Sequence, residues 1–207
     1  ATDVYNVNGK ILVIKNTTVS ENLITGLKKN AIDSVYIYRD ISDEGSFSSI
    51  NIKSILLREA EEIIDSHILK HIKKDKNIAE IKSTILEILK NDKVIQLLLP
   101  LRALGDNYFR HSLSVGIYSV AVGREMFFPA HRLIVLGTAA LLHDVGMKEI
   151  PKEILFKNGP LTEEEKQIIQ KHPRYGFEIV QKSEGFSAEI YNIILEHHER
   201  YDGTGYP

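Results

Sequence analysis

The sequence predicts a mainly α-helical protein: a helical bundle over 101–207, preceded by a small α/β module over 1–50 and a helical connector over 51–100. Three observations predict it. From about Asn51 onward apolar residues recur at helical spacing, beginning with Ile52, Ile55, Leu56, Ala60, Ile63, Ile64, Ile68 and Ile72. The stretch before it carries two short β-branched and aromatic runs instead, KILVIK at Lys10–Lys15 and SVYIY at Ser34–Tyr38. The composition, 43% hydrophobic and 26% charged over 207 residues, is that of a globular chain able to bury a core.

Taken in order, Asn8-Gly9 is a turn signal between two strand-like pieces. Ser20 caps a helix with Leu23, Ile24 and Leu27 on one face. The polar loop Ser42–Ser49 marks a boundary. In the connector, Lys73–Asn77 breaks the first helix, and Ile78, Ile81, Ile85, Ile88 and Leu89 carry a second. Gly105-Asp106 opens a helix containing His111, Val115, Tyr118 and Val122. Pro129 precedes a helix over 130–145. Asn158-Gly159-Pro160 is a loop, and Thr162 with Glu165 forms a capping box for the next helix. A last helix, 188–198, leads into Asp202-Gly203-Thr204-Gly205.

Several classes are excluded at this stage. The net charge of −2 and the lack of a basic block argue against a nucleic-acid polymer or a membrane surface as partner. No apolar run approaches the ~20 residues that span a bilayer, and no signal peptide opens the chain. With no cysteine, disulfides, cysteine-held zinc and iron–sulfur clusters are ruled out. A cytoplasmic location is expected. The chain starts at Ala1 and stops at Pro207 directly after a glycine-rich turn, so a truncated domain is expected.

Any metal must then be held by histidine, carboxylate and water. Four places stand out: His143-Asp144 in LLHDVG, His197-His198 in EHHERYDGTGYP, His172 before Pro173, and His111 in RHSLSVG. A helical His143-Asp144 pair sets an imidazole and a carboxylate about 100° apart around the helix. A carboxylate behind the apolar Ala139–Leu142 run is costly to bury unless a cation compensates. Taken singly, each place has a plainer reading: a satisfied core or surface histidine at His111, a helix stop at His172-Pro173, a local hydrogen-bonded pair at His143-Asp144. His67 and His71 are four apart on a predicted helix but lack obvious completing ligands beside Lys73, Lys74 and Lys76, and His131 reads as surface.

Together, residues from about Leu101 to Pro207 resemble the HD-GYP group of the HD phosphohydrolase superfamily. The pieces are RHSLSVG, LLHDVG, IPKEIL (Ile150–Leu155), LTEEE (Leu161–Glu165), HPRYG (His172–Gly176) and HHERYDGTGYP, which contains the Gly205-Tyr206-Pro207 triplet. The segment from Asn6 to Tyr38 is similar to small α/β modules ahead of some such domains. The resemblance implies an HD-type helical bundle with two divalent transition-metal ions, iron or manganese foremost and zinc compatible. It implies His111, His143 and Asp144 as ligands of the first ion. Asp144 would bridge to the second ion, completed by His172, His197 and His198. It further implies metal-assisted hydrolysis of cyclic di-GMP to linear pGpG, alone or with GMP. Asp144 and Lys148 would serve the chemistry, and Lys148, Gly203, Gly205 and Tyr206 would contact substrate. GGDEF-domain proteins and a homodimer are the other expected partners.

Three departures accompany the resemblance. The group has a further Asp ligand well downstream of the triplet, on a later helix. Where members with a third metal carry Glu one turn before the first histidine, this chain has Asn107, so two ions are expected. Where many members carry Lys four residues after the HD histidine, this chain has Met147, with Lys148 next. Two readings compete with hydrolysis of cyclic di-GMP: a hydrolase for another nucleotide, and a non-catalytic receptor or scaffold that binds cyclic di-GMP or a GGDEF-type cyclase.

Overall fold

The computed structural model describes residues 4–5, 11–13, 20–29, 57–63 and 75–207. The chain divides into two compact units, 1–47 and 48–207. In the first, β1 (Val4–Tyr5) and β2 (Ile11–Val13) pair antiparallel, with Val4 opposite Val13 and Tyr5 opposite Ile11. Helix α1 (Glu21–Lys29) follows, and the Ser20 hydroxyl accepts from the Leu23 amide at 3.3 Å, as its capping role requires. Leu27 is buried, whereas Ile24, expected on the same face, is 42% exposed. The Asn8-Gly9 turn, the SVYIY run and the 42–49 loop lie outside the described residues, as do His67 and His71.

The second unit begins with helical residues 57–63 (α2), followed by α3 (Asp75–Leu89), α4 (Asp92–Leu104), α5 (Asp106–Glu125) and α6 (Ala130–Leu142). A 3-10 helix (Val145–Glu149), α7 (Lys152–Leu155), α8 (Glu163–Ile169), α9 (His172–Lys182) and α10 (Ala188–Glu196) complete it. One apolar core runs through this unit, from Ala60 and Ile63 through Ile81, Ile85 and Ile88 to Leu113, Ile117, Leu141, Val180 and Ile194. Among the described residues, Ala60, Ile63, Ile81, Ile85, Ile88 and Leu89 of the apolar period read in the connector face this core. Glu59 and Arg102 form an ion pair that ties α2 to α4, and the same guanidinium lies 5.3 Å from the Phe109 ring centroid.

Three boundaries differ from expectation; α10 ends at Glu196, two residues before the expected His198. Helix α3 starts at Asp75, inside the stretch expected to be a break. An acidic residue at a helix start is favoured by the macrodipole and by the unpaired amides there, which outweighs the local run of lysines. Helix α6 ends at Leu142, three residues before the expected Val145. His143 is its C-cap, and Asp144 has left helical geometry at φ −97°, ψ 8°. The pair thus sits at the helix end, His143 closing it and Asp144 just beyond.

Helix α5 packs along α6, α10 crosses α6 and α9, and α9 lies against the 3-10 helix. This arrangement gathers the C-terminal ends of α6, α8 and α10 at one place. Gly146 makes the closest approach possible. A Cβ there would lie 2.0 Å from the His172 carbonyl oxygen and 2.5 Å from the Gly176 amide nitrogen. Only a residue without a side chain lets the turn after Asp144 touch the backbone of α9. Among the described residues no helix is long and apolar enough to cross a membrane.

Candidate metal centre

Three histidines reach the centre by the same local device. Nδ1 of His143 lies 2.8 Å from the Ala140 carbonyl, Nδ1 of His172 2.8 Å from that of Ile169, and Nδ1 of His197 2.8 Å from that of Ile194. Each ring follows the end of a helix and turns back to a carbonyl three residues earlier, one that helix termination leaves without an intrahelical partner. A carbonyl only accepts, so Nδ1 carries the proton in all three rings. In a neutral ring the Nε2 lone pair is then bare and points away from the helix.

Those lone pairs converge on Asp144. Its Oδ2 lies 3.1 Å from Nε2 of His143 and 3.6 Å from Nε2 of His111. Its Oδ1 lies 3.2 Å from Nε2 of His172 and 3.8 Å from Nε2 of His197. Nε2 of His172 and Nε2 of His197 face each other at 3.1 Å. His198 completes the group; its ring centroid is 4.3 Å from that of His197 and 5.0 Å from that of His172. Each carboxylate oxygen of Asp144 therefore serves its own pair of imidazoles.

This donor set fits metal ions. Bare nitrogens and carboxylate oxygens crowded without protons between them repel unless a cation sits among them. Two nitrogens each about 2.1 Å from one ion, at right angles, are about 3 Å apart, which matches the 3.1 Å contact of His172 and His197. Two groups can hold an ion: His111 with His143 and Asp144, and His172 with His197 and His198, the ligand atoms of each lying within 4.8 Å of one another. The Nδ1 hydrogen bonds lock tautomer and ring direction, as the outer partners of metal-bound histidines do.

The electrostatics agree. Burial alone would raise the Asp144 carboxyl; positive charge facing it from His143 and His172 overcomes this and holds the group well below the carboxylate range, a part that falls to a cation where their Nε2 atoms are bare. Burial pushes His197 down to about 4, reinforced by the neighbouring histidines and opposed by the Ile194 carbonyl. His198 is lowered by burial and by His172. Both shifts favour the neutral ring, the form that ligates.

The remaining sequence-predicted residues fall as follows. Lys148 is exposed in the 3-10 helix, its ammonium 3.6 Å from Glu149. Met147, standing where the group often has Lys, packs against the core. Asn107 and His131 are exposed. Gly203 has φ +71°, and a Cβ at Gly205 would lie 2.4 Å from the Arg200 amide nitrogen and 2.5 Å from the His198 carbonyl oxygen. Both glycines are explained by the turn, which Asp202 closes by accepting from the Thr204 amide at 3.0 Å. Tyr206 is carried back over the site: its amide donates to the His198 carbonyl at 3.3 Å, and its ring stacks on that of His198 at 4.6 Å and 17°. Sequence reading passed over Gly146 and Gly176, although both stand inside the quoted pieces LLHDVG and HPRYG. A glycine between chemistry-bearing residues was the available signal.

Residues 105–207 match the family model of the HD domain, and that stretch of the chain is an HD domain. Within it, the Gly205-Tyr206-Pro207 triplet and the curated relatives place the chain in the HD-GYP group. It is similar to the cyclic di-GMP phosphodiesterase PA4108 of Pseudomonas aeruginosa, 33% identical over 120 residues, covering 58% of this chain and 29% of that protein. It is similar to the cyclic di-GMP phosphodiesterase response regulator RpfG of Xanthomonas campestris, 39% identical over 87 residues, covering 42% and 23%. It is also similar to the 3′3′-cGAMP-specific phosphodiesterase 3 of Vibrio cholerae, 37% identical over 97 residues, covering 47% and 21%. The chain thus spans less than a third of the length of each of these relatives.

Proposed function

We propose that the protein is a metal-dependent phosphodiesterase that hydrolyses cyclic di-GMP to linear pGpG, alone or with GMP. The observation that carries this reading is the division of Asp144, each oxygen facing its own imidazole pair. In this reading His111, His143 and Asp144 hold one ion, and Asp144, His172, His197 and His198 hold the other. Iron or manganese suits this nitrogen and carboxylate set, with zinc also compatible. Bound there, a pair of divalent cations supplies an activated water and neutralises charge on the phosphoryl oxygens.

The chain's own residues do the rest. Asp144 spans both halves of the centre and keeps them at a set distance. The Nδ1 hydrogen bonds keep three rigid donor directions from swinging when substrate enters. Lys148, on the 3-10 helix directly after Asp144, is proposed to leave Glu149 and orient the phosphate. The Asp202–Gly205 turn positions Tyr206, whose ring is proposed to meet one guanine. Gly203 and Gly205 serve substrate binding by holding that turn.

The test is direct. The full-length protein, loaded with Fe(II) or with Mn(II), is incubated with cyclic di-GMP and the products are separated by chromatography. Linear pGpG should appear with at least one metal; none with either rejects the reading. A second reading has an observation behind it: the cGAMP-specific relative is 37% identical, against 33% and 39% for the two cyclic di-GMP enzymes. Parallel incubation with 3′3′-cGAMP decides between them by relative kcat/KM.

A further inference from the structure

Outside the ligand set, the rings of Tyr108 and Phe156 form a pair that has no place in the chemistry so far. Tyr108 lies on α5 three residues before His111, hence on the same helix face one turn earlier. Its ring meets Phe156, the residue that follows α7, edge to face at a centroid distance of 6.4 Å and 90°. Tyr108 is half-buried and packs against the core, which holds it still. Phe156 is 52% exposed. The Tyr108 phenol is raised first by burial and then by the charge of Asp144, so it lies within electrostatic reach of the centre.

The placement is one-sided. The rings of His111 and His143 adjoin at 5.3 Å, those of His143 and His197 at 4.9 Å, those of His197 and His198 at 4.3 Å, and Tyr206 stacks on His198. Tyr206 therefore sits at the His198 end of this series, and Tyr108 with Phe156 sits at the His111 end. A cyclic dinucleotide has two bases on either side of its phosphodiesters, and a site with a ring at each end matches that outline.

We propose that Tyr108 and Phe156 form an aromatic lip that stacks on one purine base of the substrate, opposite the base met by Tyr206. This inference rests on the phosphodiesterase reading and adds a specificity element to it. A rigid, half-buried ring backed by a second ring offers a flat apolar face with little side-chain freedom to lose. Every purine has such a face, so the lip binds adenine and guanine alike and favours nucleotide diesters over diesters without bases.

The experiment uses the full-length, metal-loaded protein and two probes. One is a cyclic dinucleotide carrying 2-aminopurine in place of one guanine, whose fluorescence is quenched by stacking. The other is bis(p-nitrophenyl) phosphate, a diester without a purine. Tyr108→Ala and Phe156→Ala should each weaken binding of the cyclic dinucleotide by about tenfold, the scale of one lost base–aromatic stack, and reduce its quenching. Their kcat/KM for bis(p-nitrophenyl) phosphate should stay within about twofold. Tyr108→Phe should keep both, while Phe156→Leu, apolar but not aromatic, should behave as Phe156→Ala. Variants that lose both substrates together, or neither, overturn the lip. A wild-type protein that cleaves bis(p-nitrophenyl) phosphate yet binds no cyclic dinucleotide overturns the substrate reading instead.

Discussion

At the residue scale, the centre depends on where single protons sit. Three histidines spend their Nδ1 hydrogens on helix-end carbonyls and leave Nε2 bare toward Asp144. Asp144→Asn removes the charge and one oxygen while keeping the volume. The prediction is loss of bound metal by elemental analysis and a fall in activity of about a hundredfold or more, with the helical circular dichroism unchanged. Gly146→Ala tests a different property. Its Cβ would lie 2.0 Å from the His172 carbonyl oxygen, so the turn must retreat from α9. It should lower Tm and metal content together, though it alters no ligand. A variant that kept full metal content would show that the contact between the turn and α9 is dispensable.

At the element scale, helix ends do the positioning. Thr162 and Glu165 form the capping box read from sequence: the Glu165 amide donates to the Thr162 hydroxyl at 3.2 Å, and the Thr162 amide donates to the Glu165 carboxylate at 2.8 Å. This cap fixes the start of α8, the helix whose end supplies the carbonyl that orients His172. Thr162→Ala should cost about 1 kcal/mol of stability, read by denaturant unfolding. The Glu165 carboxyl is held below its ordinary value by Lys157 first and by the Thr162 amide second. A carboxyl lowered in the folded state binds fewer protons there than in the unfolded chain. Its contribution is therefore present above the ordinary carboxylate value and is lost as the pH falls through the folded-state value. In Glu165→Gln, the acid limb of a stability–pH curve should be shallower than in the wild type; superimposable limbs would refute the assignment. The capping residues were readable because they act within one turn of chain.

At the scale of the whole second unit, one apolar core joins the connector helices to the helices that bear the site, from Ala60 to Ile194. The centre brings His111, His143, Asp144, His172, His197 and His198 together from four separate stretches of chain. Ions bound there link these stretches, and binding to the folded state alone stabilises it by mass action. Treatment with a chelator should lower Tm, and Mn(II) added back should restore it in a concentration-dependent way. A Tm unmoved by either step would mean that the donors are assembled without need of a cation.

The amino-acid order by itself determined the helical class, the apolar stripes, the Ser20 and Thr162 caps, and which residue types carry the chemistry. These are local matters: periodicity, capping and side-chain chemistry act over a few residues. It did not determine that α6 stops at Leu142, that Asp144 leaves the helix, or that α3 starts at Asp75. Nor did it show that Gly146 presses on α9 or that Tyr108 meets Phe156. Those were decided by packing between elements distant in sequence, where a backbone contact or a ring from another helix outweighs the local preference of the chain.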